Sequence, residues 1–316
     1  MLSRTAENLF WIARAMERAE NTGRLLEVGA RISLLPSIHG YRSEWDSLLQ
    51  ASGTAEGFDR KYDAAVARNI ESYMFFDGDN PSSVVSLFNQ ARENARIVRT
   101  ALTTQVWDAL NMAFQELKQL ERRPRSELEL TEMTDWVTRT AALVRGSINA
   151  TLLRNDGFDF LNLGYALERA DATARLIDVK YYVLLPRVEF VGSGLDNYQW
   201  MTLLRALSLH RAFHWSYAGD ITARKIADFL ILNPQNPRSL ITSIESANWA
   251  LDRLAKSYGR DMDVQHHARM LLARLTATTV EDIFDEGMHD FVTRFIDDTA
   301  HLSHCVWENY LTGDVR

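Results

Sequence analysis

Carboxylates and guanidiniums recur at one helical spacing in two widely separated stretches of this chain. AMERAENTGRLLEV (15–28) carries Glu17, Arg18, Glu20 and Arg24, and ALERADATARLIDV (166–179) carries Glu168, Arg169, Asp171 and Arg175. A guanidinium grips a carboxylate through two parallel hydrogen bonds, and a carboxylate receives an ammonium group, so such a set has the chemistry to hold an amino acid or a short peptide. The same residues also suit an intramolecular ion-pair network that fixes helix register. A third reading, a carboxylate metal site, draws on the Glu-x-x-Glu spacing. It lacks the Glu-x-x-His pair of bundle di-iron sites, and the neighbouring arginines repel a cation, so no metal is assigned to this chain.

At about 100° per residue, Glu17, Glu20, Arg24 and Glu27 form one line along a helix, repeated as Glu168, Asp171, Arg175 and Asp178. Phe10, Ile12, Met16, Leu25, Leu26 and Val28 cover the other flanks, so the helix must be enclosed, its charged line facing water or a charged internal seam. Arg18 and Arg169 fall outside that line among apolar neighbours, where each needs a carboxylate or a watery pocket. If the two copies pack about a pseudo-two-fold axis, Glu17, Arg18, Glu168 and Arg169 can pair reciprocally, each carboxylate with the other copy's guanidinium.

The matching extends further. Trp45, Leu48 and Leu49 correspond to Trp200, Leu203 and Leu204; Phe58 and Tyr62 to Phe213 and Tyr217; and Asn80-Pro81-Ser82-Ser83 to Asn236-Pro237-Arg238-Ser239, where proline after asparagine predicts a helix start with proline in its first turn. Tyr165 stands opposite Arg14, so a site using Arg14 need not be symmetric. Periodicity predicts an all-α fold with helices over 3–34, 44–53, 56–77, 81–103, 104–120, 127–154, 157–186, 196–217, 221–232, 237–257, 262–275 and 279–312. Breaks are expected at Pro36, Gly40, Gly78 to Pro81, Pro124, Pro186, Gly219 and Asn233 to Pro237. The expected architecture is two pseudo-symmetric helical-bundle repeats packed together, 1–155 and 156–316, forming one compact unit.

A net charge of −7 argues against nucleic acid as a partner, since phosphate neutralisation needs a basic face. Only five of the 35 basic residues are lysines, and arginine is the residue suited to bidentate carboxylate pairing, although a codon bias would give the same skew. The lone Cys305 excludes an intramolecular disulfide and reads as core filler. No apolar run is long enough to span a membrane, and charges at Arg4, Glu7, Arg14 and Glu17 interrupt any signal-peptide core, making the cytoplasm the expected location. His210 with His214 and His301 with His304 lie at helical spacing, with Trp215 and Trp307 suggesting aromatic packing; His266 and His267 point to different faces. There is no phosphate-cradling glycine loop and no nucleophile elbow, which leaves the chain poorly equipped to be a catalyst by itself.

SRTAENLFWIARAMERAENTGRLLEV at the start, then DNPSSV, ARENARIVRTAL, VWDALN, DGFDFLNLGYALERAD and FLILNPQNPRSL, resemble in this order the bacterial alpha-E family, helical domains named for their Glu-Arg motif. The resemblance spans essentially the whole chain. It implies the company of a circularly permuted ATP-grasp ligase, often also of a transglutaminase-like protease, and hence a role in forming amide or peptide bonds. The chain would be an accessory or co-catalytic component, binding a partner or substrate through Glu17, Arg18, Glu20, Arg24, Glu168, Arg169, Asp171, Arg175 and Arg14. ATP and Mg would sit on a separate ligase chain, and this chain would bind no cofactor. Arg18→Ala and Glu168→Ala are then expected to abolish ligation with folding largely intact. Two alternatives stand beside it: an enzyme using Glu17 or Glu168 as a general acid or base with raised pKa, and a scaffold contacting another chain through exposed aromatics such as Trp107 or Trp136.

Overall fold

Apolar residues go right round the segment Ser3–Ile32 (α1), and Leu9, Ile12, Met16, Leu25, Leu26 and Val28 are all buried. A helix of this kind must be enclosed by others. In the computed structural model, which describes residues 1–33, 44–184 and 194–312, α1 is enclosed by α5 (Val84–Ile97), α7 (Leu130–Thr151), α8 (Asp156–Leu184) and α9 (Gly194–Ala206). The second charged helix, α8, is enclosed in turn by α1, α2 (Glu44–Ser52), α12 (Leu240–Tyr258) and α15 (Met288–Val306). Thus α2 leaves its neighbours in sequence to lie on α8, while α9 crosses back to lie on α1. The described residues contain helices and turns and no strand, as the periodicity predicts.

The two central helices come into close contact where Ala13 meets Gly164. A Cβ on Gly164 would stand 2.5 Å from the Phe10 carbonyl oxygen and 3.0 Å from the Ala13 Cβ, so only glycine permits this crossing. The two residues occupy matching places, each two residues before its charged stretch.

Three long predicted helices are interrupted. The segment 56–77 forms α3 (Ala55–Asp59), α4 (Ala67–Glu71) and a π-helical end at Ser72–Phe76. Tyr62 stacks on Phe58 at 4.9 Å and Lys61 reaches Asp77 and Asp79 at 2.7 and 2.8 Å, folding the chain back between them. The segment 196–217 breaks between α9 and α10 (His210–Ser216) at Ser208, whose φ of 60° ends the helix. The segment 279–312 divides at Gly287, with φ 94°, into α14 (Val280–Glu286) and α15, and closes in a π-helical turn at Trp307–Leu311. The expected breaks at Pro36, Gly40 and Pro186 lie outside the described residues.

The two Asn-Pro motifs are built alike, though not as predicted. The prolines precede the helices instead of entering the first turn, and Ser83 and Ser239 are the N-caps, their hydroxyls accepting from the Ser86 and Thr242 amides. The Asn80 and Asn236 amides donate to the Tyr73 and Phe229 carbonyls at 3.0 and 2.8 Å, while their carbonyl oxygens accept from the amides two residues on. A side chain serving both neighbours fixes the turn, and serine then takes over the cap. α6 (Thr104–Arg122), α11 (Ala223–Ala227) and α13 (Asp263–Ala277) complete the outer layer.

Candidate functional site

Glu17 of α1 and Glu168 of α8 are buried, and each faces the other helix. Glu17 accepts two hydrogen bonds from Arg169, from Nε at 2.9 Å and Nη2 at 3.0 Å. Glu168 accepts the converse pair from Arg18, at 2.6 and 3.0 Å, and a third from Arg14 Nε at 2.7 Å. Each off-line arginine has therefore found the other stretch's carboxylate. Outward from this centre, Glu20 receives Arg24 Nη2 at 2.7 Å, and Asp171 receives Arg175 Nε at 2.8 Å. Arg24 also donates to the Ala206 carbonyl and Arg175 to the Ala51 carbonyl, at the C-terminal ends of α9 and α2, where a cation meets the negative end of the helix dipole.

Two further arginines join only the Glu17 and Glu20 side of this arrangement. Arg145 of α7 donates to both Glu17 and Glu20, and Arg238 of the second Asn-Pro turn donates to Glu20 at 2.6 Å and to Glu17 at 3.4 Å. Glu17 and Glu20 thus share four guanidiniums, those of Arg24, Arg145, Arg169 and Arg238, an excess of two positive charges. Glu168 and Asp171 have three, those of Arg14, Arg18 and Arg175. The matching turn in the first half carries Ser82 in place of Arg238, which removes one cation from that end.

The electrostatics follow the geometry. Burial works to raise the Glu17 and Glu20 carboxyls, but the surrounding arginines outweigh it and both are held well below the usual carboxylate range. Glu168 is likewise buried, and Arg14 and Arg18 bring it down to about 2. For Arg238 it is the charged form that is disfavoured. Burial and the nearby charge of Arg24 push its guanidinium down to about 10, as expected where positive charge is in surplus.

Beside the Glu17 cluster lies a cavity of about 510 Å³, lined among others by Arg145, Asn149, Tyr165, Arg169, Glu245 and Trp249. The Tyr165 hydroxyl and the Arg145 Nε are buried with no hydrogen-bond partner among the described residues. Arg145 lies over the Tyr165 ring at 4.9 Å. Burial raises the Tyr165 phenol far above its ordinary value, so it remains a proton donor. Trp249, 52% exposed, adds an apolar surface. A second cavity, about 190 Å³, adjoins the Glu168 cluster and is lined by Arg18, Asn21, Thr22, Asp171 and Arg175 among others.

All nine residues singled out from the sequence therefore lie in this seam. Arg145, Arg238, Tyr165 and Trp249 were not among them. Arg238 is signalled by its place in an Asn-Pro turn whose first copy has serine, and Tyr165 by standing opposite Arg14; Arg145 and Trp249 carry no such mark. Trp136 is not an exposed docking residue: it is buried, donating to Glu116 at 2.7 Å, and Trp107 lies half-buried beneath Arg92 and Arg99. The exposed tryptophans are Trp215, Trp249 and Trp307.

Of the two histidine pairs at helical spacing, His210 with His214 forms and His301 finds other partners. His210 and His214 do meet edge to face at 4.8 Å, but Trp215 beside them is exposed and does not pack. His301 turns away from His304 and joins His267 of α13 and Cys305, while His304 stacks on Trp307 and lies 3.3 Å from Glu308. Cys305 is buried as expected, yet it has polar company: its sulfur lies 3.3 Å from His267 Nδ1. No described helix is long and apolar enough to cross a membrane.

A family model, Alpha-E, described as a predicted alpha-helical domain with a conserved ER motif, matches residues 1–311. Curated relatives include an uncharacterised protein of Mycobacterium bovis, 24% identical over 279 residues, and one of Mycobacterium tuberculosis, 23% identical over the same length. The match covers 81% of this chain and 30% of each relative, so the chain spans less than a third of their length. No solved structure matches it.

Proposed function

The chain belongs to the Alpha-E family, and we propose that it is the binding component of an ATP-dependent amide-ligase system, holding an amino acid or short peptide by its carboxylate in the cavity beside Glu17. The observation that carries this reading is a pair of buried donors without a partner among the described residues, Tyr165 OH and Arg145 Nε, next to a cluster with two guanidiniums in excess. Buried donors without acceptors are costly, and a carboxylate supplies acceptors and neutralises charge at once. Glu245, exposed on the same cavity, offers a partner to the ligand's ammonium, and Trp249 a surface for its side chain.

In this reading ATP and Mg are held by a circularly permuted ATP-grasp partner, with a transglutaminase-like protease as a further companion, and this chain presents the group to be joined. The length of the curated relatives supports a role in a larger assembly, because there the matching segment shares its polypeptide with much additional sequence. The paired features of α1 and α8 support two copies of one helical unit, 1–155 and 156–316, related by a pseudo-two-fold axis near the Ala13–Gly164 crossing. Catalysis by a glutamic acid of raised pKa has lost its premise, since Glu17, Glu20 and Glu168 are all held low.

Calorimetric titration of the chain with amino acids and dipeptides, each as the free acid and as the C-terminal amide, tests the proposal. Free acids should bind and their amides should not. Equal binding of the two forms, or of neither, would remove the carboxylate site.

A further inference from the structure

We propose that His267, His301 and Cys305 form a binding site for a divalent ion of the zinc class, clamping α13 to α15. The Cys305 sulfur stands 3.3 Å from His267 Nδ1 and 3.6 Å from His301 Nε2, and the three ligand atoms lie within 4.8 Å of one another. Around tetrahedral zinc, with bonds of about 2.3 Å to sulfur and about 2.0 Å to nitrogen, sulfur and nitrogen ligands sit roughly 3.5 Å apart. Both sulfur-to-nitrogen separations already have that span. His301 and Cys305 are one helical turn apart on α15, and His267 comes from α13 packed against it. This clustering of ligands 34 and 38 residues apart arises only when the two helices pack, which is why the sequence assigns no metal to the chain.

A cavity of about 200 Å³, lined by His267, His301, Arg274 and Asp298 among others, leaves room for a fourth ligand. Asp298 is taken up by Arg274, so that position falls to water or to an anion beside the guanidinium. The alternative use of a Cys-His pair, nucleophilic catalysis, fits less well. Cys305 is 5% exposed and does not line the cavity, so a small ion can reach its sulfur where a substrate carbonyl cannot. The ion would convert a hydrogen-bonded cluster into a cross-link between helices, stabilising the fold when bound.

Cobalt(II) titration of the full chain, stripped with a chelator and kept reduced, is the test. The expected result is one equivalent of cobalt giving a thiolate charge-transfer band and the strong visible bands of a tetrahedral site, both lost on adding zinc. Cys305→Ser should abolish the charge-transfer band. His301→Ala, at an exposed side chain that folding does not depend on, should weaken cobalt binding at least tenfold and remove any zinc-induced rise in Tm. Absence of the bands at stoichiometric cobalt, or bands unchanged in folded His301→Ala, would overturn the proposal. These readouts do not involve the carboxylate cavity, so either site can fail without the other.

Discussion

Glu17 of α1 and Arg169 of α8 face each other as a two-point ion pair, at 2.9 and 3.0 Å, in the interior of the protein. Glu17 is 1% exposed and also serves Arg145 and Arg238, so its loss would leave three guanidiniums sharing Glu20. Glu17→Ala is expected to cost about 3–5 kcal/mol, the usual result of breaking a buried pair. Glu168→Ala should also destabilise, in place of the intact folding expected from sequence. Arg18→Ala should be milder, at most about 2 kcal/mol, because Arg18 is 34% exposed and Glu168 keeps Arg14. Urea unfolding of the three variants decides this order.

Acid should unfold the chain through the same carboxylates. Glu168 falls from an ordinary 4.5 to about 2 on folding, so its contribution is fully present above about 4.5 and is lost as pH falls through about 2. Glu17 and Glu20 are shifted in the same direction and add to the effect. On the order of 3 kcal/mol rests on Glu168 alone. The expected Tm falls steadily below pH 4.5, and the fall is shallower in Glu168→Gln, measured by calorimetry across that range.

Gly164→Ala is expected to force α1 and α8 apart. The added Cβ would lie 2.5 Å from a backbone oxygen that cannot rotate away. Overpacking of this kind costs about 1–3 kcal/mol, and here it would also lengthen the reciprocal ion pairs. Gly146→Ala, with open space around it, is the control and should leave Tm unchanged or slightly higher. A similar Tm for both variants would show that the crossing is looser than described.

Tyr165→Phe separates binding from folding. Its hydroxyl has no hydrogen-bond partner among the described residues, so removal should leave stability unchanged or improved. If the cavity holds a carboxylate, the same change should weaken that ligand by about 1–3 kcal/mol, roughly 5- to 150-fold. Unaltered affinity for a free-acid dipeptide would exclude the hydroxyl from the site.

The helical class and the inward-facing pairs Glu17 with Arg169 and Glu168 with Arg18 are legible in the sequence because helix period and charge need are local properties. An arginine among apolar residues needs a carboxylate or a watery pocket, and packing the two stretches together is one arrangement that supplies the carboxylate. Arg145 is illegible for the opposite reason: nothing near it in sequence says that α7 lies over Glu17. The break near Tyr62 is not marked by proline but goes with the reach of Lys61 to Asp77 and Asp79, and the break at Ser208 is a left-handed turn at a residue that is not glycine. Gly287 lay in view within 279–312, but a single glycine in a long periodic run does not reveal the φ of 94° that ends the helix there.

The exchange of α2 and α9 across the two central helices bears on how the chain is made. Until α8 has been synthesised, α2 lacks its larger packing surface, Arg14 and Arg18 have no carboxylate from Glu168, and Glu17 and Glu20 lack two of their four cations. The N-terminal half leaving a ribosome is thus an unfinished surface with charges it cannot satisfy, and it must wait for contacts about 150 residues away. Such long-range closure favours slow, all-or-none folding. A chain cut between α7 and α8 should yield two fragments that are each poorly folded alone and recover native helicity on mixing.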